Sequence, residues 1–260
     1  MRAKPFFKTR FRIKPGKGQN HWIGGTWEGK GAICPVCREP LLLVMSFDCA
    51  SPELKKASQG KLESLSRLPL LTCMRCMSEL SYQVDESGVV TILFTRYANG
   101  HDNRSYQPYP EEFDRKAVVL DDEIPSEVSR ALKRWLRVDP IEEEMSAEDR
   151  ETLESFFGHG LFIHRCLTHH QLGGRPLAEA WEDNGLQCRN PKCSGGFFDR
   201  LMKRPRPMRF LAGVLNDPPG GLPLVEPLNE ETTKDWLYGV SHYWQICDKC
   251  LSITTFSTSD

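Results

Sequence analysis

The sequence predicts an α+β protein: two tandem, related β-rich modules with zinc-knuckle cysteine pairs, joined by a helical middle segment. Three observations predict it. Eight of the ten cysteines fall into four close pairs, a series of features recurs in the same order in both halves, and strand-like runs dominate everywhere but the middle. The chain has 260 residues, of which 39% are hydrophobic and 27% charged, so it can bury a core and stay soluble. Ten cysteines are too few for a disulfide scaffold in a chain this long.

The first element is basic. Between Met1 and Lys17 lie Arg2, Lys4, Lys8, Arg10, Arg12, Lys14 and Lys17 and no acid, with Phe7, Phe11 and Ile13 interleaved. That alternation reads as a strand with one basic face, which either is solvated or grips RNA or an acidic protein. Next comes His21-Trp-Ile-Gly-Gly-Thr-Trp27, echoed by His170-Gln-Leu-Gly-Gly-Arg-Pro176. Each is followed by a cysteine pair, Cys34/Cys37 or Cys188/Cys193, and then by an apolar run ending in Asp, Leu41–Asp48 or Met208–Asp217. Each half closes on a C-x-x-C flanked by strand-like residues: Cys73/Cys76 running into Leu80–Val84, and Cys247/Cys250 running into Leu251–Phe256. Tyr82 to Phe94 reads as a hairpin turning at Asp85–Gly88.

The middle is different. Val128, Leu132, Trp135 and Leu136 share one helical face after an N-cap at Ser126. A second helix is expected to start at Ser146, where Asp149 completes a capping-box pattern, and to turn Leu153, Phe156 and Phe157 inward. Eight acids crowd Asp139–Glu154 against the single Arg150; they suit a solvated helix start or a site for a basic client. The expected divisions are residues 1–105 for the first repeat, 106–159 for an acidic helical connector, and 160–260 for the second repeat.

The cysteines carry the chemistry. A C-x-x-C at a tight turn converges two thiolates on one point, and two such knuckles supply four sulfurs in a tetrahedron about 2.3 Å from a zinc ion. The expected sets are Cys34, Cys37, Cys73 and Cys76 around one ion, and Cys188, Cys193, Cys247 and Cys250 around a second. Four thiolates leave no open coordination position, so both ions would be structural; zinc is expected, although iron also accepts four thiolates. Cys34-Pro-Val-Cys37 has the spacing of a redox motif, but a strand rather than a helix follows it. The glycine pairs Gly24/Gly25 and Gly173/Gly174 lie in no phosphate-loop pattern, and HExxH, GxSxG and the zinc-deaminase signature are absent. His164, Cys166, His169 and His170 form one further cluster, read either as a structural feature beside the Gly-Gly turn or as a nucleophile site pairing Cys166 with His164 or His169.

Charge and hydropathy exclude more than they identify. Lys plus Arg (34) balances Asp plus Glu (35), which argues against a surface devoted to nucleic acid. No apolar run approaches the roughly 20 residues of a spanning helix, and the basic N-terminus lacks a signal-peptide core. A cytoplasmic protein with no membrane association and no small-molecule substrate is the expectation.

The pattern Ile23-Gly-Gly, then Cys34-Pro-Val-Cys37-Arg-Glu-Pro-Leu and the run to Asp48, recurring at Leu172-Gly-Gly and Met208–Asp217, resembles the bacterial YwqG-like family of unknown function. It is also similar to the eukaryotic programmed-cell-death-2-like proteins. The resemblance spans roughly residues 20–95 and 168–256; it departs where Thr26-Trp27 replaces a proline and where Cys188 and Cys193 are widely spaced. It implies a duplicated α+β fold with optional zinc knuckles, a chaperone of a ribosomal protein in the eukaryotic branch, and toxin–immunity associations in the bacterial one. The expected function is therefore a non-enzymatic, zinc-stabilised protein-binding module: a chaperone, an adaptor or an immunity-type inhibitor. The alternative is an RNA- or ribosome-associated factor using segment 2–17, and after it an enzyme using Cys166.

Overall fold

A computed structural model describes residues 5–73, 79–96, 112–121, 125–135, 145–157, 170–174, 186–193, 206–215 and 240–259. These form one antiparallel sheet of eleven strands: β1 (Arg10–Pro15), β2 (His21–Gly25), β3 (Leu42–Asp48), β4 (Arg67–Thr72), β5 (Glu79–Val84), β6 (Val90–Arg96), β7 (Phe113–Asp121), β8 (Gln171–Gly173), β9 (Arg209–Leu215), β10 (Val240–Ile246) and β11 (Ile253–Ser259). Their order across the sheet is β4-β3-β2-β7-β1-β8-β9-β10-β11-β5-β6. Three helices accompany them: α1 (Pro52–Ser58), α2 (Ser126–Trp135) and α3 (Ala147–Phe157).

Local sequence explains the elements. β3 is buried on both faces from Leu42 to Phe47 and apolar there but for Ser46, while β1 alternates, with Phe11 and Ile13 inward and Arg10, Arg12 and Lys14 outward. Helix α1 is capped by Ser51, whose hydroxyl accepts from the Leu54 N–H, and Pro52 opens its first turn. The expected hairpin is β5–β6; the Asp85 carboxylate accepts from the N–H groups of Ser87 and Val89, which tightens the turn before Gly88. Helix α3 starts as expected, with Ser146 Oγ accepting from the Asp149 N–H. The Asp149 carboxylate turns to Arg134 of α2 instead of completing the capping box. Val128 and Ala131 of α2 and Leu153 of α3 are buried. Leu136 lies outside the described residues.

The strand register repeats. His21, Trp22 and Ile23 of β2 face Val118, Ala117 and Lys116 of β7, and in the other half Gln171 and Leu172 of β8 face Arg12 and Phe11 of β1. The β3–β4 ladder slips once, between Leu43 and Met45, and the β9–β10 ladder slips at the corresponding place, between the pairs Trp244–Ala212 and Gln245–Phe210. Gly24 (φ 71°) and Gly173 (φ 68°) sit at matching positions, where a Cβ would fall on the carbonyl oxygens of Asp114 and Thr9. Each leading strand is exchanged: β1 precedes β2 but pairs with β8, whereas β7 precedes β8 but pairs with β2. The β1–β7 and β11–β5 ladders join one half to the other.

Two expectations need correction. Residues 106–159 are not only a helical connector, because β7 lies inside that range and sits at the middle of the sheet. The sheet also does not divide at 105 or 160, since the exchanged leading strands put each half's backbone donors and acceptors into the other's ladder. The halves differ at one seam. In the second half β10 pairs with β11 along its full length, but β6 takes the edge of β5 to which the equivalent strand, β4, would pair. Side chains close the gap. Tyr82 Oη donates to Pro69 O (3.0 Å) and accepts from Leu71 N (2.9 Å), and Trp244 Nε1 donates to Leu71 O (3.0 Å). Pro69 has no N–H to leave unpaired there.

Candidate metal centres

Two five-residue turns build the sulfur sites with one backbone pattern. In the first, Cys34 N–H donates to Glu39 O (2.9 Å), Arg38 N–H donates to Cys34 O (2.9 Å), and Arg38 has φ 66°. In the second, Cys247 N–H donates to Ser252 O (2.9 Å), Leu251 N–H donates to Cys247 O (3.0 Å), and Leu251 has φ 58°. Left-handed backbone at a non-glycine residue is uncommon, and its recurrence just after each C-x-x-C marks both turns as knuckles.

Cys188 stands where Cys34 stands in the other half. Its N–H donates to Arg206 O (2.8 Å) and Met208 N–H donates to Leu186 O (2.9 Å), matching the Cys34-to-Glu39 and Leu41-to-Ala32 bonds. The return segment after the cysteine is simply longer. The wide Cys188/Cys193 spacing is absorbed by an Asn190 turn, whose side-chain oxygen accepts from Lys192 N–H, and by the short 3-10 segment Pro191–Cys193.

These turns gather Cys188, Cys193, Cys247 and Cys250 with all four sulfurs within 4.8 Å of one another. Cys188–Cys250 and Cys193–Cys247 are each 3.5 Å apart. A disulfide is near 2.05 Å, whereas the edge of a tetrahedron of sulfurs about 2.3 Å from its centre is about 3.8 Å. The spacing therefore fits four thiolates around one cation. In the first half Cys34, Cys37 and Cys73 converge in the same way, with Cys37 and Cys73 at 3.6 Å. The expected fourth ligand, Cys76, lies outside the described residues, as do His164, Cys166 and His169. His170 is buried beside β8, and its counterpart His21 accepts the Asp48 N–H at Nδ1 (2.9 Å), which is a structural use.

The thiols of the second set act on one another's ionisation. Cys188 and Cys247 pull the Cys250 thiol far down, whereas Cys188 and Cys250 push Cys247 far up. Burial, then Cys250 and Cys247, raise Cys193 to about 12. Four thiolates this close repel one another, so binding a dication at the quartet would release protons. At Cys34 burial opposes ionisation, but the N–H groups of Cys37 and Val36 together with the Cys73 and Cys37 thiols outweigh it and lower the thiol.

Residues beyond the cysteines hold the second centre. Ser252 Oγ lies 3.2 Å from the sulfurs of both Cys188 and Cys250. Gln83 of β5 donates to Cys250 O (2.6 Å) and accepts from Asn190 (3.0 Å), and Arg189 reaches Glu79 (3.4 Å). Ser252 had a sequence signal, because Cys-x-Ser occurs at both Cys76-Met-Ser78 and Cys250-Leu-Ser252. Gln83 had none, since it belongs to the other half. No family model, curated protein or solved structure matches this chain.

Proposed function

We propose that the protein is a non-catalytic, metal-stabilised protein-binding module made of two related β-rich repeats, each closed by a structural zinc ion. The single observation that carries the metal reading is the quartet Cys188, Cys193, Cys247 and Cys250, with its tetrahedral sulfur spacing. The matching knuckles, the shared glycine position and the exchanged leading strands support descent of the two halves from one unit. A closed four-sulfur site has no position for substrate or activated water, so it favours a scaffold that presents a surface over an enzyme. The resemblance to the YwqG-like and programmed-cell-death-2-like families points to a chaperone, adaptor or immunity role. Segment 2–17 supports an RNA reading less than its composition suggests. Arg12 is turned to the Phe156 carbonyl (3.1 Å) and Lys14 is paired with Asp121.

The test is metal content per chain in the purified protein, with unfolding followed as a chelator is added. Two zinc ions per chain are expected, falling to one in Cys247→Ser and in Cys34→Ser but staying at two in Cys49→Ser. Cys49 is buried apart from both clusters and its thiol is pushed up to about 12 by burial, which makes it the control. No bound metal, or unfolding indifferent to chelator, overturns the reading.

A further inference from the structure

The second sulfur centre is built from two separate turns of the second half, and a residue of the first half joins them. Cys193 closes the turn that begins at Asn190, its N–H donating to Asn190 O (3.0 Å), and Cys250 lies in the knuckle that runs into β11. Gln83 of β5 stands between the two turns. Its orientation follows from the groups at either end. Lys192 N–H can only donate, so Asn190 offers it Oδ1 (2.9 Å) and turns Nδ2 toward Gln83 Oε1 (3.0 Å). Gln83 Nε2 then donates to Cys250 O (2.6 Å), which can only accept. The hydrogen bonds therefore run in one sense, from the residue before Cys193 to Cys250 itself.

Other contacts seat the same pieces against each other. Arg189 reaches Glu79 of β5 (3.4 Å), and its guanidinium lies 4.4 Å from the centre of the Phe94 ring on β6. Both strands of the hairpin thus touch the turn that carries Cys188 and Cys193. Three residues past Cys250, Ile253 pairs with Tyr82 in the β11–β5 ladder, and the buried hydroxyls of Ser81 and Thr254 are 2.7 Å apart. Asn190 is buried and Gln83 half-buried, so water competes little for their amide pair. The approach to the first centre meets the same hairpin differently. There Val90 N–H donates to Lys30 O (2.7 Å), a bond between two residues of one half and remote from Gln83.

We infer that Gln83 is a positioning residue for the second metal centre. By tying the Asn190 turn to Cys250 it holds the four sulfurs together, so retention of that ion depends on the seating of the other half's hairpin. This rests on the metal reading above and adds which of the two ions answers to contact between the halves.

The test uses the full-length, metal-loaded protein mixed with a chromogenic chelator and N-ethylmaleimide. Ion release is read by absorbance, and the order of cysteine labelling by peptide mass. Gln83→Leu removes both hydrogen bonds while keeping an apolar side chain in place. One ion per chain is expected to leave at least fivefold faster than from the wild type, and the other at the wild-type rate. Cys188, Cys193, Cys247 and Cys250 should be labelled before Cys34, Cys37 and Cys73. Tyr82→Phe, whose lost hydroxyl bonds lie on β4, is the control for general loosening and should single out neither ion. If Gln83→Leu does not fold, Gln83→Glu is read in the same way, since it keeps the acceptor for Asn190 and loses the donor to Cys250. Unchanged release, equal quickening of both ions, earlier labelling of the first set, or the same selective release in Tyr82→Phe overturns the inference and leaves the metal reading standing. Purified protein without bound metal overturns both.

Discussion

At the scale of single residues, the structure assigns work to side chains whose type says little about it. Tyr82 and Trp244 read as ordinary core aromatics, yet together they satisfy three backbone groups of β4 where no described strand does. A buried N–H or C=O left without a partner costs about 1–3 kcal/mol. Tyr82→Phe keeps the ring and orphans both Leu71 N–H and Pro69 O, so it should destabilise the fold by about 3 kcal/mol. Denaturant unfolding would measure this, and a loss below about 1 kcal/mol would show that the clasp is dispensable. The cysteines were legible for the opposite reason. A thiolate pair two residues apart at a strand turn has few uses, and the repeat of the pair named its partners. Cys188/Cys193 breaks that spacing, but the equivalence of its backbone bonds to those of Cys34 restores the assignment.

At the scale of elements, the hairpin β5–β6 and the starts of α1 and α3 follow from local chemistry: an Asp-Gly turn, a Ser-Pro cap and a Ser acceptor. The strand β7 does not. Its apolar stretch is only Ala117 to Leu120, three charged residues (Asp114, Arg115 and Lys116) separate that stretch from Phe113, and helix-like sequence follows it. Its pairing partners, β1 and β2, lie about a hundred residues earlier, so nothing nearby announces it. The exchange of leading strands has a consequence for fragments. Residues 1–105 hold β1 without β7 or β8, and residues 106–260 hold β7 without β1 or β2. Each fragment alone should lack a cooperative melt, while an equimolar mixture should recover one together with the intact protein's elution volume. A cooperative transition in 1–105 alone would mean that the ladder across the halves is not required.

At the scale of the whole molecule, acid is expected to act on the core and on the candidate metal centres in the same direction. His242 is fully buried in β10, and desolvation lowers its pKa from 6.5 to about 4. The unfolded chain takes up this proton between those values and the folded one does not, so the stability from neutral His242 is present above about pH 6.5. It is lost as pH falls toward 4 and amounts to about 3 kcal/mol. Burial lowers His21 as well, and metal binding demands thiolates, so acid should also loosen the ions. Denaturant midpoints should fall steadily from pH 7 to 4.5, and His242→Phe should show a shallower slope over that range even if it is weaker at pH 7. An unchanged slope would assign the pH dependence to the metal sites alone. Taken by itself, the sequence determined the β-rich character, the recurrence of one pattern of motifs in two halves and the grouping of the cysteines that come together among the described residues. Each of these rests on side-chain type and spacing, which local physics reads directly. The tertiary structure alone decided which strands are neighbours, that the leading strands are exchanged and that β6 displaces β4 at the seam. Those outcomes depend on backbone hydrogen bonds, which are chemically alike in every residue, and on the closure of the sheet as a whole, which no window of sequence contains.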